Sequence, residues 1–184
     1  MRGKLPQRTK ILCVIKADAY GHGAVALAKE YERLGADWFA VSNFEEAFQL
    51  RSNDVKKPIL ILGYTPANMA YELSHFNISQ TVFSEEYARE LSHYAKLNNV
   101  QVKMHLKIDT GMSRIGFVFK NDENCQETIN TLTKVCSLEN LVPEGIFTHF
   151  SVADDLKVGA STTNKQLDDF TYVCEALSAN GVDV

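Results

Sequence analysis

The sequence has no C-x-x-C pair, no histidine cluster and no long apolar run. Its four cysteines, Cys13, Cys125, Cys136 and Cys174, stand singly. That excludes the common zinc and dithiol-redox spacings and fits reduced thiols packed inside. No stretch approaches the roughly 20 apolar residues needed to cross a bilayer. The opening residues, MRGKLPQRTK, lack the apolar core of a secretory signal. Positive charge is not in excess either, since 19 Lys and Arg stand against 23 Asp and Glu, a net charge of -4. Nothing therefore draws the chain to nucleic acid or to an anionic membrane. Glycine-rich phosphate-loop evidence is weak: GHGAVA (21–26) supplies G-x-G with Ala26 at the third glycine position, which some versions of G-x-G-x-x-G allow. What remains is a globular chain of 184 residues, 45% hydrophobic and 23% charged, with room for a sizeable core. Its expected place is the cytoplasm.

Strand-like apolar runs occur at 11–16, 38–42, 59–62, 78–83, 100–109 and 145–149. Between them lie helix-like stretches at about 24–34, 44–52, 67–75, 85–98, 122–137 and 163–179. Several carry end signals: Gly35 closes the first, Thr65-Pro66 opens the third, and Ser84 with Glu85 and Glu86 starts the fourth. Regular alternation of strand and helix predicts βα units and a parallel sheet. An open doubly wound sheet and a closed (β/α)₈ barrel both use such units. VKMHLKID (102–109) bears on the choice, because Met104, Leu106 and Ile108 alternate with Lys103, His105, Lys107 and Asp109. Central strands of a doubly wound sheet are covered on both faces and read nearly all apolar. A barrel tolerates polar groups on its inner face near the C-terminal rim; an edge strand with one wet face gives the same alternation. Lys16 and His149 also fall at strand C-termini, which favours the barrel. Six βα units are visible, and VDV (182–184) reads as the opening of a seventh strand. The expected fold is thus α/β, a single but incomplete (β/α)₈ TIM-type barrel, since eight strands take ~250 residues.

VIKADAYGHG (14–23) places a lysine, Lys16, at a strand tip just before a polar turn carrying Asp18, Tyr20 and His22. An amine held there suits imine formation with a carbonyl compound. A solvated rim lysine would look the same at this level.

Three segments together go further. VIKADAYGHG, HLKIDTGMSRIGF (105–117) and EGIFTHFSVADD (144–155) resemble, in order and at similar separations, the motifs of the alanine racemase family. These are fold-type III enzymes that use pyridoxal 5′-phosphate (PLP), and the likeness spans essentially the whole chain. The resemblance implies that Lys16 carries PLP as a Schiff base and is one of two acid/base groups at the substrate Cα. It implies that Tyr20 gives its hydroxyl to the cofactor phosphate. Arg114 would lie by the phenolic oxygen of PLP and help hold the substrate carboxylate, tasks that suit a guanidinium fork. His149 would lie near the cofactor ring and join the network of the opposite base. Lys107 matches a lysine that many members carry as a carbamate paired with the arginine; a plain ion pair with Asp109 stays open. Ser113 stands where glycine is frequent, and His22 is given no role.

The family's second base is a tyrosine of a C-terminal β-domain, supplied by the partner subunit of a homodimer. Nothing in this sequence matches that domain. The resemblance therefore implies that residues 1–184 are part of an N-terminal PLP-binding barrel domain, inactive alone. Its parent would interconvert L- and D-alanine, a step toward D-alanine for the cell wall. The expected partner is a small amino acid, with no metal, nucleic acid or membrane. A serine racemase of the same family, a non-catalytic PLP-binding barrel and a scaffold domain remain as other readings.

Overall fold

Short apolar strands alternate with helices along most of the chain, and the product is a parallel α/β fold. The computed structural model describes residues 2–119, 125–155, 157 and 159–183. It contains two compact units, the first ending at residue 81 and the second beginning at residue 82.

The first unit runs β1 (Leu12–Val14), α1 (Lys16–Gly21), α2 (Ala24–Arg33), β2 (Trp38–Val41), α3 (Phe44–Ser52), β3 (Ile59–Ile61), α4 (Ala70–His75) and β4 (Ile78–Val82), which ends at the boundary. The strands pair in sequence order and all in parallel, with Leu12 opposite Trp38, Phe39 opposite Ile59, and Ile59 opposite Ile78. Phe39, Ala40, Val41, Ile59 and Ile61 are wholly buried, as strands covered on both faces should be. The Asn43 side chain caps α3 by accepting the Glu46 N–H. Arg51, at the other end of α3, donates to the carbonyls of Val55, Lys57, Phe76 and Asn77 at 2.8–2.9 Å. One guanidinium thus satisfies the backbone entering both β3 and β4.

The second unit contains α5 (Glu85–Leu97), β5 (Val102–Asp109), β6 (Phe117–Val118), α6 (Cys125–Cys136), β7 (Leu141–Phe147) and α7 (Ala160–Ala179). Parallel β5 lies between β6 and β7. Its Met104, Leu106 and Ile108 are wholly buried, while Lys103 and His105, on the alternate face, both reach the Glu144 carboxylate at 3.4 Å. The parallel α/β order expected from the sequence is present. Among the described residues β1 has β2 as its strand neighbour, and β7 has β5.

Some boundaries differ from the pattern in the sequence. The strand expected at 145–149 is β7, which starts at Leu141. Pro143 and Glu144 hide its first half, and the ladder slips there, because Met104 faces Pro143 and His105 faces Gly145. Proline gives no ladder hydrogen bond, and Glu144 is the extra residue of a bulge. The strand expected to reach Lys16 stops at Val14. Of the expected helix 122–137, residues 122–124 lie outside the described residues, as does Val184 of the expected seventh strand; Val182 and Asp183 form no strand.

Candidate active site

Lys16 opens α1, and the four residues after it are all left-handed: Ala17, Asp18, Ala19 and Tyr20 have φ of 51–56°. No glycine relieves the run, and each L-residue held there costs about 1–2 kcal/mol. Such conformations persist only where the surroundings over-determine them. Here Ile15 is buried and bonded into β2 through the Ala40 carbonyl (2.9 Å), and Ala19 N–H donates to the Ile15 carbonyl (2.9 Å). The Asp18 carboxylate accepts the Ala24 N–H at the start of α2 (2.7 Å), and Gly23 N–H returns to the Asp18 carbonyl (2.9 Å). His22 donates from Nδ1 to the Ala19 carbonyl (2.9 Å), which gives that motif residue a structural task. The turn leaves Lys16 half-buried at the C-terminal side of β1 and Tyr20 61% exposed. Among the described residues neither the Lys16 amine nor the Tyr20 hydroxyl has a hydrogen-bond partner.

The remaining three candidates belong to the second unit. Lys107 is 5% exposed and sets Nζ over the Phe147 ring, 4.6 Å from its centroid. Burial pushes its ammonium down from the ordinary lysine range, and the Arg114 charge pushes the same way against an opposing pull from Asp109. Asp109 is itself engaged, its Oδ1 accepting the N–H groups of Gly111 (2.9 Å) and Ser113 (3.0 Å). This carboxylate shapes the loop that carries Arg114. Gly116 closes the loop at φ 136°, and a Cβ there would stand 2.8 Å from the Lys107 carbonyl. Glycine is therefore required for β6 to lie against β5. Arg114 is exposed and, with Lys165 and Asp169, borders a cavity of about 630 Å³.

A buried glutamine on α7 ties this rim together. Gln166 is 2% exposed. Its Nε2 donates to Thr110 Oγ1 (3.4 Å) and to the His149 carbonyl (3.3 Å), while its Oε1 accepts from Ser151 N–H (2.9 Å) and Oγ (3.0 Å). Thr110 Oγ1 donates to Thr148 Oγ1 (2.8 Å), which donates to the Ile108 carbonyl (2.9 Å). The direction of this chain is fixed, because a carbonyl can only accept. Gln166 thus sets the segment leading to Arg114 beside the backbone of His149, whose side chain is exposed.

The whole chain, residues 1–184, matches the family model described as alanine racemase, N-terminal domain. The chain belongs to the alanine racemase family. It is 39% identical over 175 residues to the alanine racemase of Clostridium tetani, a match covering 95% of this chain and 43% of that protein. The solved structure of alanine racemase from Clostridium difficile 630 in complex with cycloserine superimposes with a TM-score of 0.89 at 38% identity, covering 100% of this chain and 48% of that one. The Bacillus anthracis alanine racemase with bound L-Ala-P gives 0.88 at 30% identity, covering 99% and 45%. The chain thus spans less than half the length of these relatives, and its fold is that of their barrel domain. Its three motifs occupy α1, the β5–β6 loop and the end of β7. Residues missed at the sequence level are Gln166, Thr110, Thr148 and Glu46. Glu46 had a local signal, the Asn43-x-x-Glu46 spacing of a capping box, and Thr110 and Thr148 lie inside the quoted motifs, whereas Gln166 had none.

Proposed function

We propose that this chain is the N-terminal part of a PLP-dependent alanine racemase, an isomerase that interconverts L- and D-alanine by two-base chemistry. The observation that carries the reading is the Lys16 amine on its left-handed turn, without a hydrogen-bond partner among the described residues, within the motif of a family whose likeness covers the whole chain. The residue types that the motifs supply suit the cofactor chemically: an amine for its aldehyde and a phenol for its phosphate in the first unit, and a guanidinium for its phenolate oxygen in the second. When bound, PLP supplies an electron sink that acidifies the substrate Cα–H. Lys16 Nζ anchors it and moves a proton at one face of Cα. Tyr20 Oη donates to the phosphate. Arg114 holds the substrate carboxylate with its planar fork. His149 would help orient the group acting at the opposite face, a tyrosine contributed from outside these residues by the partner of a homodimer.

Lys107 enters as a carbamate. Burial and the Arg114 charge favour its neutral amine, which can add CO₂ and release a proton. The resulting anion would neutralise Arg114. The enzyme is cytoplasmic and supplies D-alanine for the cell wall.

The test is interconversion of L- and D-alanine by the longer protein that contains this chain. Lys16→Ala is expected to lower kcat about 10³-fold or more, the scale of an acid/base group that also binds the cofactor. Unchanged turnover in that variant would overturn the assignment.

A further inference from the structure

Glu46 takes no part in the chemistry above, yet its half-buried carboxylate reaches the backbone of the Lys16 turn. Oε1 accepts the Ala17 N–H at 2.8 Å, and Oε2 accepts the Ser42 N–H at 2.7 Å. Ser42 directly follows β2, and Ala17 is the first left-handed residue after Lys16. Glu46 is in turn fixed by its own N–H, which donates to Asn43 Oδ1 at 3.0 Å. In an ordinary capping box the glutamate returns to the amide of its cap residue. Here it reaches past that residue and bridges the ends of two neighbouring strands.

We infer that Glu46 is a positioning residue for Lys16. Its carboxylate orients the peptide between Lys16 and Ala17, and so the direction in which the lysine leaves the strand. The inference rests on Lys16 being the cofactor-bearing amine proposed above. The far end of the left-handed run is held by Asp18 and His22; Glu46 holds the near end. Bonds from amides to a carboxylate are among the stronger ones in proteins. A carboxylate serves two amides at once because both its oxygens accept. Glutamine of the same shape offers one acceptor and turns its NH₂ against the other N–H.

The experiment compares Glu46→Gln with Arg51→Ala in the 184-residue chain. Arg51 is on the same helix but holds backbone at its far end, so its loss weakens the first unit without touching the Lys16 turn. Hydrogen exchange of amides 17–20 and competitive acetylation of Lys16 against exposed Lys29 are measured without cofactor. Glu46→Gln is expected to speed exchange at 17–20 by about ten-fold or more, the scale of one charged hydrogen bond, and to raise Lys16 acetylation toward that of Lys29. Arg51→Ala should lower the stability of the unit yet leave both within about two-fold of wild type, because local opening of the turn rather than global unfolding sets them. Equal effects of the two variants, or no effect of Glu46→Gln, would overturn the inference. If Glu46→Gln does not fold, Glu46→Asp, which keeps the charge but shortens the reach, is read against the same limits. Borohydride trapping of PLP on the wild-type chain tests the cofactor reading separately. Failure to label Lys16 there would sink that reading, while the exchange and acetylation data would still decide the role of Glu46.

Discussion

Ser113 sits at φ 56° in the loop that carries Arg114, with its N–H on the Asp109 carboxylate. That backbone explains why glycine is frequent at this point of the motif: a Cβ is strained in the left-handed region. Ser113→Gly is expected to stabilise the chain by about 0.5–1 kcal/mol, or roughly 1–4 °C in Tm, measurable by calorimetry. Lys107 carries a prediction about pH. Burial and the Arg114 charge lower the value at which it deprotonates in the folded chain. Between that value and the ordinary lysine range the unfolded chain binds more protons, so stability rises with pH across the window. In CO₂-free buffer Lys107→Met should be more stable than wild type at neutral pH, with the gap narrowing as pH climbs to the ordinary lysine range. Added bicarbonate should stabilise wild type and leave Lys107→Met unmoved. A gap independent of pH would contradict the burial argument, and no response to bicarbonate would contradict the carbamate.

At the scale of elements, the second unit depends on α7 holding the ends of β5 and β7 through Gln166. Gln166→Ala strands the Ser151 N–H and breaks the chain through Thr110 and Thr148. The expected loss is about 2–3 kcal/mol, or roughly 5–10 °C in Tm. A change below 1 °C would mean that water replaces the amide without penalty. These same elements separate what the sequence made legible from what it hid. The alternation in β5 was readable, because one face is wholly apolar and the other carries Lys103, His105 and Lys107. The first half of β7 was not, since Pro143 and the bulge at Glu144 break the periodicity that marks a strand. The left-handed turn after Lys16 left no trace in propensity: Ala17 and Ala19 are strong right-handed helix formers, and bonds from Glu46, Asp18 and His22 help to hold the conformation. Gln166 was illegible because a neutral amide on a long helix shows its role only when its partners are in place. The site residues themselves were named from the motifs, and the structure adds what fixes their backbones.

For the whole molecule, the chain matches less than half the length of its relatives. If the group acting at the opposite face of Cα lies outside these residues, the purified 184-residue chain should show no measurable racemisation, even where it binds the cofactor. Robust turnover would mean that a residue within the chain serves as the second base. Binding comes before turnover and is the property measured first. The measurement is an absorbance spectrum of the purified chain with PLP, followed by borohydride reduction and peptide mapping. The account predicts a yellow band and a single stable adduct on Lys16, in the peptide that also contains Tyr20. No band, or label spread over surface lysines such as Lys29 and Lys56, would contradict it.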